Sequence, residues 1–195
     1  MIEEKIKEYI EKNLSAKRLR HSISVAETAK ELAKRFDASV EKAYLAGLAH
    51  DLAKELDENE MLLKLSDYSR EDIAKRYGYP LLHGPVAACI LENEFGVCDK
   101  EILDSVWYHT TGKTDMPLLT KIIYLSDFIE PNRAFDGIEE VRGLAEENLD
   151  KAIIAASGIV IISTVKRGLA TDVDTVLARN YLIDRFKERE IDFIV

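Results

Sequence analysis

The stretch Tyr44-Leu-Ala-Gly-Leu-Ala-His50-Asp51-Leu-Ala53 sets a histidine and an aspartate side by side in an otherwise apolar run of helix-forming residues. Burying an imidazole next to a carboxylate is costly unless both are paired or bound to a cation. Neighbours on a helix point about 100° apart. Both side chains can therefore reach one ion only if it sits in front of the helix, between their directions. Gly47, one turn earlier, would clear space on that face.

The same pattern recurs outward from this stretch. His21 opens a helical face continued by Val25, Thr28, Ala29 and Leu32, and His109 follows Ile102, Ser105 and Val106 on one face. Asp127 follows Thr120, Ile123 and Tyr124 within Ile122-Ile-Tyr-Leu-Ser-Asp-Phe-Ile129. An aspartate on an apolar helix face is either paired or a ligand. His83 precedes Gly84-Pro85, which predicts a place at a helix N-terminus, where free backbone N–H groups favour anions. The pattern H…HD…H…H…D uses every histidine in the chain.

Helical periodicity extends over nearly the whole chain, and strand alternation is almost absent. The expected helices are 2–13, 17–36, 39–55, 57–65, 69–77, 85–95, 99–110, 117–130, 138–147, 150–167 and 172–188. Asp57 with Glu60, Ser69 with Asp72, and Thr171 with Asp174 have capping-box spacing or its acidic variant. Pro85 and Pro117 suit first helical turns, and Gly168 suits a helix stop. Helix 150–167 is apolar nearly all round, which reads as a central core helix, with a homodimer interface as the second reading. No repeat or linker divides the chain, so residues 1–195 read as one all-α domain.

The formal net charge of −9 argues against a general binder of nucleic acid or anionic membrane, which needs a basic face. An anionic substrate remains compatible if the site supplies its own cations. Two cysteines, Cys89 and Cys98, form neither a CxxC pair nor a disulfide framework, as expected of a reduced cytoplasmic protein. The N-terminus lacks a signal-peptide profile, and no apolar run approaches the roughly 20 residues that span a bilayer.

The histidine–aspartate pattern resembles the HD superfamily of metal-dependent phosphohydrolases. His21, His50, Asp51 and Asp127 match its four metal ligands, and His83 and His109 match the additional pair of some branches. Five phrases in order, Arg18-Leu-Arg-His21, His50-Asp-Leu-Ala-Lys54, His83-Gly-Pro-Val-Ala-Ala, His109-Thr-Thr-Gly112 and Asp127-Phe-Ile-Glu-Pro-Asn-Arg133, are together similar to the YqeK family. Ser24 stands where that family commonly has glycine, and Ser126 where alanine is usual.

The resemblance implies a single HD-domain helical bundle with its metal site in the helical core. The signature covers about 17–130, and helices 138–188 complete the domain. It implies symmetrical hydrolysis of diadenosine tetraphosphate to two ADP, and it favours iron. Imidazole and carboxylate ligands without thiolate suit iron, manganese, cobalt or zinc. Asp51, Lys54, His83 and His109 would act in catalysis. Arg18, Lys54, His83, His109, Thr110, Arg133, Ala170 and Thr175 would contact substrate. His83 and His109 admit two roles, holding a second ion with Asp51 bridging or touching phosphate, and the second is slightly preferred. Competing readings are another HD nucleotide phosphohydrolase or phosphodiesterase, a non-catalytic nucleotide sensor, and a metal-free helical interaction module.

Overall fold

A computed structural model describes residues 1–188 of the chain; the part of the expected domain at residues 189–195 lies outside the described residues. Among the described residues there are eleven helices and no strand. They are α1 (Ile2–Asn13), α2 (Ala16–Arg35), α3 (Val40–Ala49), α4 (Glu58–Asp67), α5 (Glu71–Arg76), α6 (Tyr79–Asn93), α7 (Lys100–Trp107), α8 (Leu118–Ile129), α9 (Ile138–Glu147), α10 (Leu149–Lys166) and α11 (Val173–Glu188). The all-α expectation therefore holds, and each expected helix has a counterpart.

The central helix is α8, which touches α2, α3, α7, α9 and α10. Its residues Ile122 to Ser126 are buried without interruption. The expectation that 150–167 would be the central helix needs correction. Only the first half of α10 is buried, through Leu149, Ala152, Ile153, Ile154, Ala156 and Ser157. Beyond Gly158 the helix leaves the core, and Ile162 and Val165 are exposed. An all-round apolar sequence does not say how far along its length neighbours cover it.

The expected helix 39–55 is also shorter. The α-helical run ends at Ala49, with His50 at its C-cap. The chain then winds more tightly, with the N–H groups of Leu52, Lys54 and Leu56 each donating to a carbonyl three residues back. Asp51 thus sits just past the helix end rather than inside it.

The expected helix start at Pro85 is wrong. Helix α6 begins at Tyr79, and Pro80 takes the first-turn position. Pro85 lies in the interior, where its missing N–H forfeits a helix bond. Packing offsets this loss, because Leu82 through Leu91 are buried in unbroken succession. His83 therefore lies more than one turn inside a helix and not at its N-terminus.

The local caps divide the same way. Asp57 and Glu60 form the expected box, each carboxylate accepting from the other's backbone N–H. Ser69 does not cap α5. It takes a left-handed conformation, φ 55°, and closes α4, with Arg70 N–H donating back to the Leu65 carbonyl. Thr171 does not cap α11: its hydroxyl meets that of Thr164, and Asp172 accepts the Asp174 N–H instead. Pro117 is the N-cap of α8, one place before the first turn. Gly168 ends α10 as expected, in the left-handed region at φ 67°, with Leu169 N–H donating to the Thr164 carbonyl.

Candidate metal centre

The four histidines come from α2, the end of α3, α6 and the turn after α7, and all four are buried. Three share one local device. Nδ1 of His50 lies 2.7 Å from the carbonyl of Gly47, that of His83 3.1 Å from Pro80, and that of His109 2.7 Å from Val106. Each partner is three residues earlier in the chain. A carbonyl can only accept, so Nδ1 carries the proton and Nε2 keeps a free lone pair. His21 reaches the same state through a carboxylate, Glu130 Oε1, 3.2 Å from its Nδ1. This second-shell arrangement orients ligating imidazoles and sets their tautomer.

The Nε2 atoms then converge. That of His21 is 3.0 Å from Asp127 Oδ1 and 3.7 Å from Asp51 Oδ2. That of His50 is 3.3 Å from Asp51 Oδ2 and 3.9 Å from Asp127 Oδ1. Both Nε2 atoms are buried, and the carboxylates beside them fall outside hydrogen-bond geometry, so neither nitrogen has a hydrogen-bond partner. A buried polar atom left unpaired is costly. A cation held between two imidazole nitrogens and two carboxylate oxygens would satisfy all four at once. The donor set therefore fits a divalent transition metal, since nitrogen donors disfavour magnesium and the absence of thiolate leaves the choice open among the others.

The second pair is arranged differently. His83 Nε2 and His109 Nε2 lie 3.1 Å apart. They stand 3.5 Å and 3.7 Å from the other oxygen of Asp51, Oδ1. Lys54 Nζ is 3.0 Å from His83 Nε2. The Thr110 hydroxyl is 3.2 Å from His83 Nε2 and 3.0 Å from His109 Nε2. His50, Asp51 and His109 form a further set whose ligand atoms lie within 4.8 Å of one another.

Charge separates the two pairs. Burial disfavours a charged His50, yet Asp51 and Asp127 outweigh it and raise its pKa. Burial, then the neighbouring His50, pushes His109 down to about 4. Burial, then His109 and Lys54, holds His83 well below its usual value. Burial likewise lowers Lys54, against the pull of Asp51. The carboxyl of Asp51 is buried, which alone would raise it, but His50 and then Lys54 and His83 hold it well below the usual range. Asp127 is held far below by the same balance, through His21, His50 and Arg133.

Two close helix approaches assemble the centre. A Cβ on Gly47 would stand 2.6 Å from the Cα of Ala26. The glycine lets α3 lie against the backbone of α2, bringing His50 to His21, rather than clearing room for an ion as its spacing suggested. A Cβ on Gly84 would stand 2.8 Å from the Trp107 carbonyl oxygen and 3.3 Å from the His109 ring. That contact brings His83 to His109.

The expected substrate contacts fall on two sides. Arg18 Nη1 lies 2.7 Å from Asp51 Oδ2, and Arg133 Nη2 lies 2.7 Å from Asp127 Oδ1. Both line a cavity of about 530 Å³ beside His21. Thr110, Ala170 and Thr175 line another, of about 500 Å³, on the His83 and His109 side. Sequence reasoning missed Glu130 as a positioning residue. The signal available was its place one turn after Asp127, on the same helix face. It also missed Arg142, whose guanidinium donates to the carbonyls of Ile129, Glu130 and Arg133 and so braces the chain around Glu130.

The HD domain family matches residues 18–156. A Bacillus subtilis protein named symmetrical bis(5'-nucleosyl)-tetraphosphatase is 38% identical over 89% of this chain and 94% of its own length. A protein of the same name from Halalkalibacterium halodurans is 41% identical over 89% of this chain and 93% of its own. A crystal structure from Clostridium acetobutylicum, of an HD superfamily hydrolase described as involved in NAD metabolism, superposes with a TM-score of 0.88. It is 38% identical and covers 93% of this chain and 97% of that one.

Proposed function

The chain belongs to the HD domain family, and from that premise we propose that it hydrolyses diadenosine tetraphosphate symmetrically, giving two ADP. The observation that carries the reading is the convergence of His21, His50, Asp51 and Asp127 around two orphaned Nε2 atoms. The activity named for the two relatives, which match nearly end to end, specifies the substrate.

His21, His50, Asp51 and Asp127 would hold the first ion, with iron proposed ahead of manganese, cobalt and zinc. Bound there, such an ion supplies a Lewis acid that polarises a phosphoryl oxygen and makes water acidic near neutrality. The chain's own groups supply the rest. Glu130 fixes the His21 ring. Arg18, Lys54 and Arg133 bring three cations to an acidic protein's site, and they offset the charge that builds up on the phosphoryl oxygens. Thr110 offers a hydroxyl beside His83 and His109. Ala170 and Thr175 would border the adenosine. ADP is a tolerable leaving group, so positioning and charge stabilisation matter more than a strong acid.

For His83 and His109 the geometry favours the binuclear role over the phosphate contact first preferred. Both Nδ1 protons are committed to carbonyls, so both Nε2 atoms are acceptors. Two acceptors 3.1 Å apart need a donor or a cation with them, a place taken here by the Lys54 ammonium and the Thr110 hydroxyl. A neutral acceptor is also a poor donor to phosphate. A second ion held by His83, His109 and Asp51 would take the place of the Lys54 ammonium.

Among the described residues no helix is long and apolar enough to cross a membrane. A cytoplasmic location is proposed from the unpaired cysteines. A homodimer would use the exposed outer half of α10, at Ile162 and Val165, with Leu169 just beyond it, and light scattering after size exclusion reads it.

The activity is tested by incubating metal-loaded protein with diadenosine tetraphosphate in oxygen-18 water and resolving the products by chromatography and mass spectrometry. ADP alone, labelled in a β-phosphate, is expected. ATP and AMP in equal amounts would refute the symmetrical cut.

A further inference from the structure

A substrate with two identical halves meets a centre with two unlike flanks. Asp51 stands between them. Its Oδ2 faces His21, His50 and Arg18, and its Oδ1 faces His83 and His109. The cavity on the Oδ1 side, bordered by Thr110, Ala170 and Thr175, is the one the proposed function gives to an adenosine. The cavity on the Oδ2 side has no assigned occupant.

That second cavity has the composition of a nucleoside diphosphate site. Lys17, Arg18, Arg20 and Arg133 line it, against a single carboxylate, Glu130. Glu130 is 2% exposed and is committed to His21 and to Asn132, so it does not oppose an incoming anion. Among the described residues, neither Lys17 nor Arg20 has an ion-pair partner, and both are exposed. In a chain with 36 acidic and 27 basic residues, four cations at one cavity mark a strong local reversal of charge. Arg18 and Arg133 each use part of a five-donor guanidinium on a carboxylate and keep other donors for the cavity.

A base could be held at the far end. Phe135 is 38% exposed, and its ring is fixed edge-on against Phe128 at 5.1 Å. Phe135 lines the basic cavity and also a neighbouring groove of about 760 Å³ that includes Phe128, Ile159 and Ile162. An exposed aromatic ring beside a cluster of cations offers a stacking face next to a phosphate grip, two elements that nucleotide binding uses.

We propose that the cavity of Lys17, Arg18, Arg20, Arg133 and Phe135 is a second nucleoside diphosphate site. It holds the half of the substrate across the cut, with the base on Phe135 and the phosphates against the arginines. This rests on the proposed activity. A symmetrical cut then comes from an asymmetrical site: one half is gripped by basic side chains and a ring, the other by the Thr110 and Ala170 cavity. Binding of both halves places the central anhydride over Asp51.

The test compares metal-loaded wild type with Phe135→Ala and with the surface double variant Lys17→Glu/Arg20→Glu. Two substrates are used: diadenosine tetraphosphate, and adenosine tetraphosphate, which lacks the second nucleoside. We expect the ratio of kcat/KM between the two to fall roughly tenfold in Phe135→Ala, the loss of one stacked base. Titration calorimetry with ADP should give two sites per chain in wild type and one in the double variant. In Phe135→Ala an unchanged ratio, or equal losses on both substrates, overturns the base site, and two ADP sites remaining in the double variant overturns the phosphate grip. If wild type cuts neither compound, the proposed activity falls, and the ADP count still decides the site: two per chain reduced to one sustains it, and one per chain unaffected by either variant refutes it.

Discussion

The two histidine pairs are built alike and left in opposite states. His50, His83 and His109 all anchor Nδ1 on the carbonyl three residues back, and each pair depends on a glycine that lets two segments approach. Yet the Nε2 atoms of His21 and His50 face two carboxylate oxygens and have no hydrogen-bond partner. His83 and His109 face each other, one carboxylate oxygen, a lysine and a threonine hydroxyl. Identical side chains thus become a cation-seeking pair and a neutral pair through their neighbours alone. The carboxylates number two on one side, Asp51 and Asp127, and on the other Asp51 is shared. Ligand strength should differ accordingly.

The largest expected effect removes what the pairs share. Asp51→Ala should lower bound metal and cut turnover by well over a hundredfold, because both sides lose a ligand oxygen. Elemental analysis, turnover, and circular dichroism as a check on folding read this together. Near-normal metal and turnover would end the assignment. Next comes the contrast itself. His21→Ala should strip the tighter ion, whereas His109→Ala should lose only the second one, leaving about half the metal of a two-ion complement. Full metal retention in His109→Ala would return that histidine to a phosphate-contact role.

Glu130→Gln tests how the first pair is held. It keeps the shape but weakens the acceptor for His21 Nδ1, and metal affinity should fall roughly 10- to 100-fold. Competition against a chelator measures it. Rescue by Glu130→Asp would mark the role as positioning. The glycines should cost stability more than chemistry. Gly47→Ala meets backbone at 2.6 Å and should destabilise by about 3 kcal/mol. Gly84→Ala, where the nearest atom is at 2.8 Å, should cost about 2 kcal/mol. Denaturant melts give both values, and equal effects would remove the distinction between the two approaches.

The smallest effect concerns the neutral pair in metal-free protein. His109 is held at about 4 when folded, against 6.5 as its ordinary value. The unfolded chain therefore binds the proton first, and this contribution to stability shrinks as pH falls below 6.5, disappearing below about 4. Between pH 7.5 and pH 5.5, wild type should lose about 1 kcal/mol relative to His109→Gln. A constant difference between the two melts over that interval would show that His109 is not held neutral.

The residues that were legible in the sequence are those whose chemistry clashes with their surroundings. A histidine or aspartate on an apolar helix face needs a partner, and that requirement marked His21, His50, Asp51, His109 and Asp127 before any contact was known. His83 was marked by the Gly84-Pro85 that follows it, but its position was misjudged. Pro85 looked like a helix start, and only burial on every side of α6 explains how it is tolerated in the interior. Glu130 escaped notice because an acidic residue before a proline reads as an ordinary helix end until its partner, 109 residues away, is in view.

The sequence alone determined the helical class, the near-complete run of helices and the identities of the groups that converge. These follow from periodicity, propensity and the cost of burying charge, all of which act over a few residues. Only the tertiary structure decided which Asp51 oxygen serves which pair, that α8 rather than α10 is central, and that Gly47 and Gly84 admit neighbouring backbone. Those depend on contacts between segments far apart in the chain. Local rules carry no information about which neighbour will arrive, or at what distance.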